Sequence, residues 1–187
     1  TTLAKGCMHD LLFFLSTHTD DWKPSTEYDA RHDFNSKTHS KEMRGIDAFK
    51  NRFPESNYEW PEEQNGHTDQ LVDSKRHQFK NARVLRGQNS LCVDICTRGG
   101  KDESGKQLKD PYPHDSFDFL TITWEEEPDK WHFWSIPAEE LTKRGYLSTS
   151  SQSGKKGLRV YGPVGPQPNP SAKLKADTWT RDYFLSE

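Results

Sequence analysis

The sequence predicts an α+β domain in which helices come first, mostly antiparallel strands follow, and a further helix packs against them. Apolar residues recur at helical spacing over residues 3–16 and 40–53. From residue 71 onward the pattern changes to short runs rich in β-branched and aromatic residues. The 187 residues are the length of one domain of ordinary size. These observations make a helix-then-strand domain the expected architecture.

Composition and charge limit which classes of protein this sequence can belong to. Only 30% of the residues are hydrophobic, so we expect a small core and long loops. A formal net charge of −3 gives no overall attraction to nucleic acid, so any basic binding surface must be a local patch. Cys7, Cys92 and Cys96 form no CxxC pair and argue for a reducing compartment. With no apolar run of membrane length and no signal-peptide pattern, we expect an intracellular protein of the cytoplasm or nucleus, without membrane contact.

Two predicted helices precede the strands. Residues 3–16 carry apolar side chains on one face, as an amphipathic helix does. Residues 17–38 are polar and contain turn formers, which predicts a loop. The second helix covers 40–53, where Ser40 is the expected N-cap and Pro54 ends the helix.

The first strands follow as short runs between turn residues. Residues 57–60 predict a short strand. Residues 71–72 and 77–84 predict the two strands of a hairpin, with its turn at 74–76. A third strand is predicted over 90–97.

The second half of the strand region is separated from the first by 99–115, "GGKDESGKQLKDPYPHD", which predicts a long polar loop. Residues 116–126 and 130–136 are rich in β-branched and aromatic side chains and predict another hairpin. A helix is expected over 137–144, because proline is favoured at a helix start and Gly145 can end it. The chain beyond predicts an extended tail and then a closing helix or strand within "SAKLKADTWTRDYFLS".

Three polar side chains are expected to converge on the first hairpin. Residues two apart in a strand point to the same face, so Gln78 and Lys80 project together while Phe79 points away. Asp69 can approach them if the hairpin turns at 74–76. Carboxylate and amide oxygens hold a hard Mg²⁺ ion, and a lysine places positive charge beside a developing negative charge. This combination is what metal-assisted hydrolysis of a phosphodiester needs.

The segment "DQLVDSKRHQFK" resembles the signature of the PD-(D/E)XK nuclease superfamily, an Asp on one strand followed by (Asp/Glu/Gln)-x-Lys on the next. Here those positions are Asp69 and Gln78-Phe79-Lys80. The stretch "PYPHDSFDFLTITWEEEPDKWHFWSIPAEEL" is similar to the strands and helix that follow in the family. The resemblance covers about residues 40–145. It implies a restriction-endonuclease-like α/β/α fold with a central mixed, mostly antiparallel sheet, and a Mg²⁺-dependent DNA endonuclease in which Mn²⁺ substitutes.

The resemblance also implies roles for individual residues. Asp69 and Gln78 would bind the metal, and Lys80 would orient water and stabilise charge. The family places an acidic residue on the helix before the first strand, and two residues fit, Glu42 and Asp10. Glu42 is favoured because its helix leads directly to the Asp69 region.

The resemblance divides the chain into three parts. These are an N-terminal helix and loop over 1–39, a nuclease-like core over 40–145, and a proline-rich extension with a C-terminal segment over 146–187 that packs on the core. The expected partner is duplex DNA, and enzymes of this fold often act as homodimers. Basic residues surround the motif in sequence and are candidate phosphate contacts: Lys75, Arg76, Arg83 and Arg86.

An alternative function stays open at this point. Thr68 stands where the family has proline, and Gln78 is neutral where most members have an acid. Both departures favour a non-catalytic nucleic-acid-binding or effector module on the same fold. Two neighbours of the motif are expected outside the site: His77 faces the same way as Phe79, and Asp118 is the type of strand residue that serves as a structural hydrogen-bond acceptor.

Overall fold

A computed structural model of the chain describes residues 37–61, 67–85, 90–167 and 178–185. All of these from Lys41 onward belong to one compact unit, Lys41–Glu187. The predicted helix over 3–16 and the candidate acid Asp10 lie outside the described residues. No helix in the described ranges is long and apolar enough to cross a membrane.

The first described element is helix α1, Lys37–Arg52. It confirms the helix predicted over 40–53 but begins earlier, so the prediction of Ser40 as N-cap is wrong. The helix buries Ile46 and Phe49, which recur at helical spacing. Gly45 packs so closely against the side chain of Thr123 that a Cβ would clash there. A glycine at this position therefore lets α1 lie directly on the central sheet.

The central sheet has six strands, which are β1 (Tyr58–Glu59), β2 (Gln70–Val72), β3 (Lys75–Asn81), β8 (Phe119–Glu127), β9 (Lys130–Pro137) and β11 (Phe184–Leu185). They lie side by side in this order. The pair β3–β8 is parallel, and the other neighbouring pairs are antiparallel. The predicted α+β fold with a mixed, mostly antiparallel sheet is thus confirmed.

The two faces of the central sheet carry separate hydrophobic clusters. On one face, Phe79 and Phe133 pack with Ile46 and Phe49 of α1. On the other face, alternate residues of β8 contribute to the larger cluster. Helix α2, Ala138–Lys143, covers this second face with the fully buried Leu141. It confirms the predicted helix, and Gly145 follows at a φ of +70°, a conformation that glycine adopts without strain.

A second sheet of three strands completes the larger cluster. Its order is β10-β5-β4, formed by Gly157–Val160, Leu91–Asp94 and Arg83–Val84. Strand β10 lies in the segment predicted as an extended tail, so that prediction was incomplete. Alternating Leu158 and Val160, both buried, explain the strand, because they supply the one apolar face it needs.

A β-hairpin, two strands with their turn, replaces most of the loop predicted over 99–115. Strands β6 (Cys96–Lys101) and β7 (Gln107–Pro111) pair with each other as a hairpin, which we call the ribbon. The prediction of a loop was wrong because β7 is exposed along almost its whole length and therefore has no apolar alternation. The turn is stabilised instead by Asp102, whose Oδ1 accepts the N–H groups of Ser104 and Lys106, each at 2.9 Å.

Two further predictions need correction or completion. The turn between β2 and β3 is formed by Asp73 and Ser74, at φ values of 50° and 64°, so the predicted turn at 74–76 was placed too late. Two residues at positive φ give the tight hairpin turn that matches strand twist. The closing segment contains both a 3₁₀ helix, Trp179–Tyr183, and strand β11. The hairpin predicted over 116–126 and 130–136 is confirmed by β8 and β9.

Candidate functional site

The hairpin β2–β3 brings Asp69 next to Gln78. The backbone N–H of Asp69 donates to the carbonyl of His77 at 2.9 Å, which continues the ladder beyond the end of β2. Its carboxylate oxygen Oδ2 accepts the backbone N–H of Phe79 at 2.7 Å and the Gln78 amide Nε2 at 2.5 Å. The approach predicted from the sequence is therefore present, and two hydrogen bonds fix the Asp69 side chain.

Helix α1 brings Glu42 to Lys80. The ammonium Nζ of Lys80 lies 2.9 Å from Glu42 Oε1, with 19% and 26% of the two side chains exposed. This close contact between helix and strand is supported by Gly45, one turn after Glu42. The structure thus gathers Asp69, Gln78, Lys80 and Glu42 at one place. The alternative acid Asp10 lies outside the described residues.

The carboxyl group of Asp69 is held away from its ordinary titration range. Burial raises the pKa of Asp69 to about 6, although the positive charge of Lys80 and the hydrogen bonds from Phe79 and Gln78 oppose the rise. The negative charge of Glu42 adds to it. Asp69 is consequently charged at neutral pH, but that charge is costly in this environment.

The ammonium group of Lys80 is stabilised in its charged form. Burial lowers the pKa of Lys80, but the surrounding groups Tyr112, Glu42 and Asp69 outweigh burial and raise it overall. Burial also raises the pKa of the Tyr112 phenol, so at neutral pH Tyr112 is uncharged. The carboxylates of Glu42 and Asp69 therefore keep Lys80 positive at neutral pH.

Tyr112 was missed by reasoning from the sequence. It directly follows the ribbon, only 3% of it is exposed, and its electrostatic neighbours are Lys80, Asp69 and Glu42. Its ring packs edge-on against Phe117, with centroids 5.5 Å apart. The sequence signal was its position between two prolines, Pro111 and Pro113, which restrict the backbone on both sides.

The donor set of the site fits a hard cation in part. The amide oxygen Oε1 of Gln78 is buried and has no hydrogen-bond partner among the described residues. A buried oxygen without a partner is costly, and a cation or a bound water would satisfy it. The carboxylates of Asp69 and Glu42 are the other hard oxygen donors here. Over the described ranges no group of three or more His, Cys, Asp or Glu residues could hold a metal by itself.

His77 and Asp118, which we predicted to lie outside the site, make their side-chain contacts with other residues. The His77 ring stacks on Phe119 with centroids 5.0 Å apart, and its Nδ1 lies 2.7 Å from the Thr121 hydroxyl. Burial lowers the pKa of His77 to about 4, so the ring is neutral at pH 7. Asp118 accepts hydrogen bonds from the backbone N–H of Arg76 at 2.9 Å and from its guanidinium at 3.0 Å. Its role as a structural acceptor is confirmed.

The candidate phosphate contacts lie at both ends of β3. Lys75 and Arg76 begin the strand beside the turn, far from Lys80, and Arg76 is already paired with Asp118. Arg83 lies just beyond the end of β3, in β4. Arg86 lies outside the described residues. Contact of these side chains with nucleic acid stays a prediction.

An open groove of about 500 Å³ lies between α1 and the β8–β9 hairpin and contains none of the four gathered residues. Its Arg44 is ion-paired with Glu125 and lies 5.7 Å from the centre of the Trp131 ring. Arg44 is thus already paired within the protein. We therefore place the candidate site not in this groove but on β3, where Asp69, Gln78, Lys80 and Glu42 meet.

Fold and geometry together define a mixed α+β protein of endonuclease-like fold. The structure of a bacterial homing endonuclease, I-Ssp6803I, is similar with a TM-score of 0.53 and 15% identity, over 74% of this chain and 88% of that chain. The crystal structure of MepB is similar with a TM-score of 0.52 and 24% identity, over 75% and 94%. At these identities the likeness concerns the fold alone.

The family is shown by the sequence itself. A model of the MepB-like family matches residues 62–186, two thirds of the chain. The protein therefore belongs to the MepB-like family. No curated protein matches the chain at a significant level.

Proposed function

We propose that this protein is a Mg²⁺-dependent DNA endonuclease with a site of the PD-(D/E)XK type. The observation that supports this most is the meeting of Asp69, Gln78, Lys80 and Glu42 at strand β3. These are the residue types that metal-assisted phosphodiester hydrolysis needs. The endonuclease-like fold adds independent support.

In this proposal Asp69 and Gln78 hold the metal, and Mn²⁺ can replace Mg²⁺. The buried amide oxygen of Gln78, which has no partner among the described residues, supports this assignment. When bound, the ion would polarise a phosphoryl oxygen and lower the pKa of a coordinated water.

Lys80 and Glu42 act on the substrate and the attacking water. The ammonium of Lys80 stays charged at neutral pH and would stabilise the negative charge that develops on the phosphate. Glu42 holds Lys80 in place through the 2.9 Å contact and can orient a water beside it. Duplex DNA is the proposed substrate, cutting of both strands by a homodimer is the proposed assembly, and an intracellular location is proposed with them.

The experiment is the substitution Lys80→Ala, with Lys130→Ala as matched control. Lys130 is also paired with a glutamate, at 2.6 Å from Glu126, but it is exposed on the β8–β9 turn. We expect wild type and Lys130→Ala to nick duplex DNA with Mg²⁺ or Mn²⁺, and Lys80→Ala to be inactive while keeping its circular dichroism spectrum. Equal cutting by all three proteins, or no cutting by wild type with either metal, would contradict the proposal.

A second function is favoured by one specific feature. The amide nitrogen of Gln78 donates to Asp69 and the ammonium of Lys80 donates to Glu42, so each of the four residues has one partner within the group. This is compatible with a non-catalytic module that binds nucleic acid or another partner. Titration with Mg²⁺ and Mn²⁺ by calorimetry separates the two, because such a module has no need to bind metal.

A further inference from the structure

The three-stranded sheet presents arginines on its outer side. Strand β5 buries every second residue in the core, so Cys92 and Asp94 lie on the outer side. Arg83 pairs with Cys92 across β4–β5, and Arg159 pairs with Cys92 across β10–β5. Residues directly opposite each other in a sheet share a face, so both exposed arginines flank β5 on this outer side.

Two lysines extend this surface toward the ribbon. Asp94 is shared by two cations, with Arg83 Nη2 at 3.2 Å and Lys109 Nζ at 3.3 Å. One carboxylate cannot neutralise both, so positive charge remains. The exposed Lys156 directly precedes β10, outside the paired strand, and its carbonyl accepts the N–H of Ile95 at 3.1 Å. We call Arg83, Lys109, Lys156 and Arg159 the basic face.

The basic face adjoins the candidate site. Arg83 follows Lys80 by only three positions along the chain, a distance of about 10 Å in extended backbone. Burial raises the pKa of the Cys96 thiol at the base of the ribbon, and the charges of Lys109, Lys80 and Lys156 oppose that rise. The charges of Lys80, Lys109 and Lys156 thus all act on Cys96, at the base of the ribbon.

The ribbon begins at Cys96, two residues after the end of β5. Strands β6 and β7 pair with no other strand in the described part of the chain, and four of the five β7 residues are exposed. The six residues of β6 span about 20 Å, which corresponds to roughly six base pairs of a duplex. A two-stranded β ribbon has the width that the DNA major groove admits.

We propose that the basic face binds the sugar–phosphate backbone of duplex DNA beside the bond to be cut, with the ribbon lying in the adjacent groove. The inference rests on the proposed function and names how its substrate is held. Exposed cations spread along a surface suit a repeating polyanion better than one small anion. This provides the local basic patch that a chain of net charge −3 requires.

The test compares two double variants that lose the same charge. Lys109→Gln/Lys156→Gln changes the basic face while Arg83 keeps its pair with Asp94. Lys130→Gln/Lys143→Gln removes two exposed lysines elsewhere, paired with Glu126 and Glu140. Binding of a fluorescent 20-base-pair duplex is measured by anisotropy in EDTA, so that no cutting occurs, between 50 and 200 mM salt.

Each phosphate contact contributes about 0.9 to the slope of log affinity against log salt. The basic-face variant lacks two such contacts, so we expect its slope to be smaller by about 1.8. Raising the salt from 50 to 200 mM should therefore weaken binding by wild type about tenfold more than binding by the variant. The control variant should follow wild type. Equal losses in both variants, an unchanged basic-face variant, or tighter binding of single-stranded DNA or duplex RNA would overturn the inference.

The outcomes separate this inference from the proposed function. If wild type binds duplex through the basic face but never nicks it with Mg²⁺ or Mn²⁺, the binding surface stands and the nuclease proposal fails. If the basic-face variant nicks duplex DNA with wild-type KM, the nuclease proposal stands and the binding surface fails.

Discussion

Two aspartates beside strand β3 show how one side-chain type is put to different uses. Asp69 approaches β3 at Gln78 and Phe79, in the middle of the strand, and burial raises its pKa to about 6. Asp118 approaches the beginning of the strand, at Arg76; burial would raise its pKa too, but the hydrogen bonds and charge of Arg76 lower it overall. The two pKa values differ because the two carboxylates have different partners. Asp118 is paired with the guanidinium of Arg76, whereas Asp69 and Glu42 share the positive charge of Lys80.

We interpret this difference as the one between a structural carboxylate and the proposed metal ligand. The charge of Asp118 is compensated within the protein, so its ionisation favours the folded state. The charge of Asp69 is under-compensated, and a cation from outside would relieve its cost. Carboxylates with displaced pKa values concentrate at functional sites, although structural ion pairs displace them as well. The pair therefore offers matched substitutions, Asp69→Asn and Asp118→Asn.

The largest expected effect is on DNA cleavage. Asp69→Asn removes a proposed metal ligand, and we expect the nicking rate to fall by roughly 100-fold or more. Asp118→Asn leaves the gathered residues in place, so the rate should stay within about threefold of wild type. The measurement is the initial rate of plasmid nicking with Mg²⁺. If the two variants lost equal activity, the distinction between the two aspartates would be wrong.

The next effect is on stability, and it has the opposite sign for the two variants. The pKa of Asp69 is about 6 in the folded state against 3.8 for an unperturbed aspartate, so the folded protein binds the proton more tightly. Stability is then lost as pH rises through this interval, and above it the full cost of the charge is present. Asparagine cannot ionise but can still accept the hydrogen bonds of Phe79 and Gln78. We expect Asp69→Asn to be more stable than wild type by about 1–3 kcal/mol at pH 8, without metal, and equally stable at pH 4.

For Asp118 the lowered pKa reverses the sign. Its ionised form stabilises the folded state above the unfolded pKa, and this contribution is lost as pH falls through the folded pKa. Because its side chain is 36% exposed, solvent screens the pair, and Asp118→Asn should cost only about 0.5–1 kcal/mol at pH 7. Urea unfolding of both variants at pH 4, 7 and 8 checks the two predictions together. A destabilised Asp69→Asn at pH 8 would show that its charge is fully compensated.

A smaller effect is expected at Gln78. Gln78→Glu places a second carboxylate beside Asp69, which lowers the melting temperature without metal through repulsion between like charges. We expect this variant to bind Mn²⁺ roughly tenfold more tightly than wild type, which corresponds to about 1.4 kcal/mol of binding free energy. Mn²⁺ should therefore raise its melting temperature more than that of wild type. Gln78→Leu has no oxygen ligand and should gain less than wild type. Equal gains in all three proteins would exclude Gln78 from the metal site.

The sequence predicted the components of the site because they follow from local rules. Two-residue alternation placed Gln78 and Lys80 on one face, and helical spacing placed Glu42 beside the apolar face of its helix. The meeting of these elements could not be read from local patterns. It depends on long-range packing, in particular the contact of Gly45 with Thr123.

Two parts of the molecule escaped prediction for physical reasons. The ribbon has little buried apolar surface, so its strands lack the alternation by which strands are recognised. Tyr112 contributes to the electrostatics of the site from a distant position in sequence, and only the folded chain brings it near Lys80. The turn at Asp73 and Ser74 was misplaced because non-glycine residues at positive φ are uncommon.

The most direct test of the account is calorimetric titration of Mn²⁺ into wild type, Asp69→Asn and Asp118→Asn at pH 7.5. At this pH Asp69 is ionised, since its pKa is about 6. The account predicts saturable binding to wild type and to Asp118→Asn, and its loss in Asp69→Asn. Absence of binding to wild type, or equal binding to all three proteins, would contradict the claim that Asp69 is the metal ligand of this site.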